Sequence, residues 1–245
     1  MKAINLAVAA TLLSVIACAA PSTAADQLVL GDINWKATAD GRKGEPRLRV
    51  SHRKSTSDVD LNGTRRELAG TTAVLAGRPG QVSFTIVHAA GTLACTGVLK
   101  QANDGEGSCS FTSDLAFETA LAKRGLAPDQ RSDLLAMLLV DATIELADGL
   151  TQEGVKPKDN GDLIAAAALE VTPAYIRDLK SEGLVLADIG DAVACKALSV
   201  DGAYVRGLAS AGYRGLSAQD VVGMKAMGVS GEYALAINRA RGSGQ

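Results

Sequence analysis

The sequence predicts an α+β fold in which a small antiparallel β-sheet is followed by an α-solenoid of about four 29-residue helical-hairpin repeats. Three observations carry that expectation. Apolar and polar residues alternate between Val82 and Thr112 around glycine-bearing turns, the period of strands with one face in a core. From about Ser113 the chain repeats every 29 residues without insertion or deletion, as stacked supersecondary units do. Hydrophobic residues make up 47% of the 245, aromatics only 3%, so the core draws mainly on Ala, Leu and Val and suits short, closely packed helices.

Residues 1–25 read as a secretory signal: Lys2, an apolar run from Ala3 to Ala17, then small residues around Pro21 to Ala25. The run is short for a bilayer span. Cleavage after Ala24 or Ala25 predicts a periplasmic or secreted protein. Val15-Ile16-Ala17-Cys18 also has the form of a bacterial lipobox, and lipidation of Cys18 would anchor the chain to the envelope instead.

Residues 26–112 predict the sheet. Trp35, Leu48-Arg49-Val50 and Leu68 precede a meander of Val82 to His88, Gly91 to Leu99 and Ser108 to Thr112, with a turn over 103–107. Antiparallel pairing about Ala102 sets Cys95 opposite Cys109, Leu93 opposite Phe111 and Gly97 opposite Gly107. In an oxidising compartment a Cys95–Cys109 disulfide follows, the alternative being two buried free thiols. Cys195 shares its column with Met137, Ala166 and Met224 and reads as a small buried hydrophobe.

Residues 113–241 predict the repeats, and 242–245 a disordered tail. Asp114, Thr143, Thr172, Asp201 and Ser230 stand one repeat apart, and each side chain can accept a hydrogen bond from the free N–H groups that open a helix. Pro173 follows Thr172, at a position where a missing N–H costs nothing. Phe117, Leu146, Tyr175, Tyr204 and Tyr233, with Leu121, Leu150, Leu179, Leu208 and Ile237 four residues on, form one helical face and the expected repeat core. Gly125, Gly154, Gly183 and Gly212 end that helix after about eleven residues. Asp159, Asp188 or Ser217 opens a second helix of about nine, and Asp133, Asp162, Asp191 and Asp220 follow as acids that stabilise its N-terminus. The half-repeat from Val229 to Arg241 reads as a cap.

Val82-Ser83-Phe84-Thr85, Gly91 to Gly97, the Gly-rich turn and Phe111-Thr112 leading into Phe117 resemble an extracytoplasmic region of bacterial BlaR/MecR-type regulatory metallopeptidases, the part that follows the membrane peptidase. Val171-Thr172-Pro173-Ala174-Tyr175-Ile176-Arg177-Asp178-Leu179 and Tyr213-Arg214-Gly215-Leu216-Ser217-Ala218-Gln219-Asp220 look like the repeats of that region. The likeness covers about residues 80–241, to which the family assigns no catalytic residue. The H-E-x-x-H zinc motif has no counterpart: His52 is followed by Arg53 and His88 by Ala89. The resemblance implies a stand-alone sensing or interaction part without the protease.

Site chemistry is sparse. Two histidines and no C-x-x-C give no conventional zinc set, and no nucleophile elbow is present. His88 reads as a partly buried structural residue and His52, in a basic stretch, as solvent-exposed. Stacked repeat aspartates would lie roughly 10 Å apart, too far for one cation, so they read as caps. The tyrosine column reads as core with its hydroxyls at the wet edge. A net charge of −2 offers nucleic acid no global attraction. The basic stretch of Arg47, Arg49, Arg53 and Lys54 reads either as a solvated edge strand or as a contact for anionic lipid or an acidic partner.

The expectation is a non-enzymatic protein or peptide interaction module without cofactor or metal, periplasmic or secreted, its membrane contact depending on Cys18 or the basic patch. The alternative is a sensor that binds a small envelope-derived ligand between sheet and repeats. A hydrolase ranks third, because no activated nucleophile or metal set stands out.

Overall fold

The computed structural model describes residues 26–40, 45–63, 65 and 68–242. The expected signal segment of residues 1–25, with Cys18, lies outside the described residues, as do 243–245 of the expected tail. The fold is α+β. Six strands form one antiparallel sheet: β1 (Val29–Thr38), β2 (Arg47–His52), β3 (Ser55–Asp60), β4 (Gly80–His88), β5 (Gly91–Gln101) and β6 (Asp104–Ser113), in the order β3-β2-β1-β6-β5-β4.

The alternation in sequence becomes two faces. Ile33, Trp35, Ala37, Leu48, Val50, Phe84, Ile86, Leu93 and Phe111 are buried, whereas Asn34, Lys36, Arg49, Ser83, Thr85 and Ser110 are exposed. β5 and β6 pair with Cys95 opposite Cys109 and Gly97 opposite Gly107, and the two cysteines are bonded.

The hairpin turn is tighter than the run of turn residues suggested. It closes at Ala102 and Asn103, with Asn103 at φ 58°, and 104–107 belong to β6. Gly97 and Gly107 are there to make room for an indole. A Cβ on either would stand 2.5 Å from the Trp35 ring, whose Nε1 donates to the Thr96 carbonyl at 2.9 Å and which meets Phe84 edge to face, the ring centres 5.2 Å apart.

Leu68 introduces a helix, not a strand: α1 (Ala69–Leu75) packs against β4. Its Thr and Val residues mask a helical turn that tertiary packing stabilises through buried Thr71 and Leu75.

Then come α2 (Leu115–Lys123), α3 (Asp133–Val140), α4 (Ile144–Gln152), α5 (Asn160–Ala168), α6 (Pro173–Ser181), α7 (Ile189–Ala197), α8 (Gly202–Ser210), α9 (Ala218–Ala226) and α10 (Gly231–Gly242). The first helix of each pair has nine residues, not eleven. A cap residue follows it, and the glycine beyond takes positive φ, from 74° at Gly125 to 93° at Gly212. The next N–H then returns to the helix, as from Leu126 to the Leu121 carbonyl and from Leu184 to that of Leu179. α2, α4, α6, α8 and α10 contact one another in succession, and so do α3, α5, α7 and α9. α8 and α10 approach most closely where Gly231 meets the Gly207 backbone.

The core falls into two clusters. One joins the sheet to α1, α2 and α3 and reaches Ala147 and Leu163. The other runs from Leu150 to Ala234 through the later helices.

Candidate functional site

The sheet meets the helices at the β2–β3 hairpin, and two clefts open there. The first, of about 330 Å³, lies between this hairpin and α3: Val50, His52, Arg53, Lys54, Ser55 and Ser57 form one wall, and Gln130, Ser132, Asp133, Leu135, Ala136 and Leu139 the other. The second, of about 450 Å³, is acidic, with Asp58, Asp60, Asp141 and Glu170 on its lining beside Arg65. Arg65 donates to the Leu139 carbonyl at 2.9 Å.

The basic stretch divides at these clefts. Asp58, across the β2–β3 ladder, accepts from Arg47 at 3.1 Å and from Arg49 at 2.8 and 3.1 Å, and this raises the Arg49 pKa. Arg53 and Lys54 form the exposed hairpin turn, Arg53 at φ 52°, and make no ion pair with any described residue.

His52 corrects its expected exposure. It is only 9% exposed, because it follows Leu48 and Val50 on the inner face of β2. That alternation was visible in the sequence and was outweighed by the surrounding charge. Among the described residues its ring has no hydrogen-bond partner. His88 is held through one nitrogen: Nδ1 lies 2.6 Å from the Leu138 carbonyl and 3.6 Å from Asp141 Oδ1, while Nε2 is buried without a partner among the described residues.

The capping residues stand at their helix starts. Asp114, Thr143, Thr172, Asp201 and Ser230 accept from the N–H of Phe117, Leu146, Tyr175, Tyr204 and Tyr233, at 2.7–3.1 Å. Asp159, Asp188 and Ser217 accept from Asp162, Asp191 and Asp220. Asp162, Asp191 and Asp220 accept in turn from the N–H of Lys158, Ala187 and Ser217. Asp133 departs from this pattern. Gln130 occupies the cap column there, α3 starts later with no side-chain cap at Ser132, and Asp133 accepts from Asn160 Nδ2 at 3.0 Å.

The repeat core needs one correction. Phe117, Leu121, Leu150, Leu179 and Leu208 are buried, but Leu146, Tyr175 and Tyr204 are half-buried and Tyr233 is 56% exposed. The side chain of Ile237 lies outside the described residues. The fully buried position is the next one along, at Ala147, Ile176, Val205 and Ala234. The tyrosines lean over the following unit, the Tyr175 and Tyr204 hydroxyls donating to the Val200 and Val229 carbonyls at 2.7 Å. Lys196 and Lys225 lie over their rings at 4.7 and 4.3 Å.

Cys195 is a buried free thiol, its pKa pushed up to about 11 by burial. Among the described residues no helix is long and apolar enough to cross a membrane. No family model, curated protein or solved structure matches the chain.

Proposed function

We propose that the chain is a non-enzymatic extracytoplasmic interaction module, in which a disulfide-clipped sheet carries an α-solenoid of about four helical hairpins that binds a protein partner along the outer face of its second helices. The carrying observation is a face already in use at one end. Leu135, Ala136 and Leu139 of α3 face the β2–β3 hairpin. One and two repeats on, the same columns are Ile164, Ala165 and Ala168, then Val193, Ala194 and Ala197, and none of these six is fully buried. A surface that meets protein at its first unit continues along α5, α7 and α9 with its apolar residues only half-covered, and an extended array surface is what repeat proteins use for binding. The Cys95–Cys109 bond accords with an oxidising compartment, and residues 1–25 supply the address. The likeness to the non-peptidase part of BlaR/MecR-type regulators agrees with this reading.

The test is crosslinked capture from periplasmic and membrane fractions with wild type and with Val193→Lys/Val222→Lys, two half-buried positions where lysine is accommodated at the surface. The expected result is one stoichiometric partner, lost in the variant while its far-ultraviolet spectrum is unchanged. Equal capture by both proteins overturns the reading. A second reading, a sensor that takes a small envelope-derived ligand, rests on the first cleft.

A further inference from the structure

The ligand-binding reading is deepened by what lines that cleft, and the inference rests on it. His52 is nine-tenths buried, lines the cleft and has no hydrogen-bond partner among the described residues. Its ring nitrogens are not sealed among protein atoms, so they are open to a molecule that enters the cleft.

The surrounding charge states its sign. Arg53 and Lys54 stand on the same wall without an ion pair to any described residue, while Arg47 and Arg49 nearby are taken up by Asp58. The one acid on the lining, Asp133, is held by Asn160. Opposite the cations, the first N–H groups of α3 are taken up by the carbonyls of Gln130, Arg131 and Ser132, so the positive charge of the cleft comes from the hairpin wall. Ser55, Ser57, Gln130 and Ser132 supply further polar groups, and buried Val50, Leu135 and Leu139 an apolar floor. A volume of about 330 Å³ suits a small molecule.

We propose that this cleft binds a small amphiphilic anion, its carboxylate or phosphate held by Arg53, Lys54 and His52 and its short apolar body laid on Leu135, Ala136 and Leu139. Guanidinium, ammonium and imidazole donors all reach oxyanions through charge-assisted or neutral hydrogen bonds, and the floor adds affinity for ions that carry an apolar part.

The chain has two histidines, so the full chain labelled with ¹³C-histidine reports directly. Octanoate and octyl phosphate are titrated as probes, with octanol as the neutral control and phosphatidylglycerol vesicles as the membrane control. The expected result is a saturable shift of the His52 ring signals with both anions and none at His88. Arg53→Ser/Lys54→Ser, on an exposed turn, then weakens binding at least tenfold. No His52 shift with either anion overturns both the proposal and the ligand reading beneath it. Equal response to octanol overturns the anion assignment and leaves a small-ligand site. Binding to vesicles without binding to the monomeric anions overturns the cleft proposal in favour of a membrane contact.

Discussion

Asp141, Glu170 and Ser199 hold φ of 55–56° at the ends of α3, α5 and α7, where Gly228 ends α9 at 74°. Each places the next N–H on a carbonyl inside its helix, as Val200 does on Cys195 at 2.9 Å. The turn is required and the residue is ill-suited to it. The left-handed conformation costs a residue with a Cβ about 1–2 kcal/mol, and glycine's flexibility when unfolded returns roughly 0.5–1 of that. Ser199→Gly should therefore raise the unfolding free energy by roughly 0.5–1 kcal/mol in chemical denaturation, and an unchanged or lower value would refute this origin of strain. Gly183→Ala should do the reverse, since φ is 82° there and no atom stands within 4 Å of an added Cβ. The glycine column was legible because glycine announces left-handed geometry; the column 141/170/199 was not, because Asp, Glu and Ser do not.

At the scale of the element, cap and staple differ in how they respond. Tyr204→Phe removes the hydroxyl that reaches Val229 in the next unit and should cost about 0.5–1.5 kcal/mol. Tyr204→Ala should cost less than the ~3–5 kcal/mol of a fully buried ring, because the ring is half-buried. Parallel urea titrations of both variants measure this, and a Phe variant as stable as wild type would remove the staple. Asp220 behaves electrostatically. The Ser217 hydroxyl, then the Ser217 N–H, holds its carboxyl below the usual aspartate range. A depressed folded-state value means that the contribution is present above about pH 4 and fades as pH falls from there through the lowered value. Asp220→Asn should thus lower the melting temperature at pH 7 and lose its difference from wild type near pH 2, with calcium and EDTA leaving both proteins unchanged. A calcium-dependent rise confined to wild type would make the aspartate column a metal site.

Over the whole molecule, the disulfide matters beyond its hairpin. Cys95 and Cys109 are 14 residues apart, and opening so short a loop costs about 3 kcal/mol. They lie in the cluster that unites the sheet with α2 and α3. Cys95→Ala/Cys109→Ala should therefore lower stability by about 3 kcal/mol, and amide exchange should quicken at Leu121 and Leu138 together with the strands. Acceleration confined to β5 and β6 would show that the two layers unfold separately.

What the sequence by itself determined is whatever a few neighbouring residues can decide. The helix starts at Thr143, Thr172 and Asp201 need only a side chain three residues from an N–H, and the β5–β6 register needs only a turn and alternating faces. The tertiary structure decided the rest. It turned His52 inward despite its charged neighbours, divided the basic stretch by bringing Asp58 across to Arg47 and Arg49, and set the β2–β3 hairpin against α3 to form the cleft. Each of these depends on which distant surface covers a side chain, a matter of packing between elements far apart in the chain that local spacing does not encode.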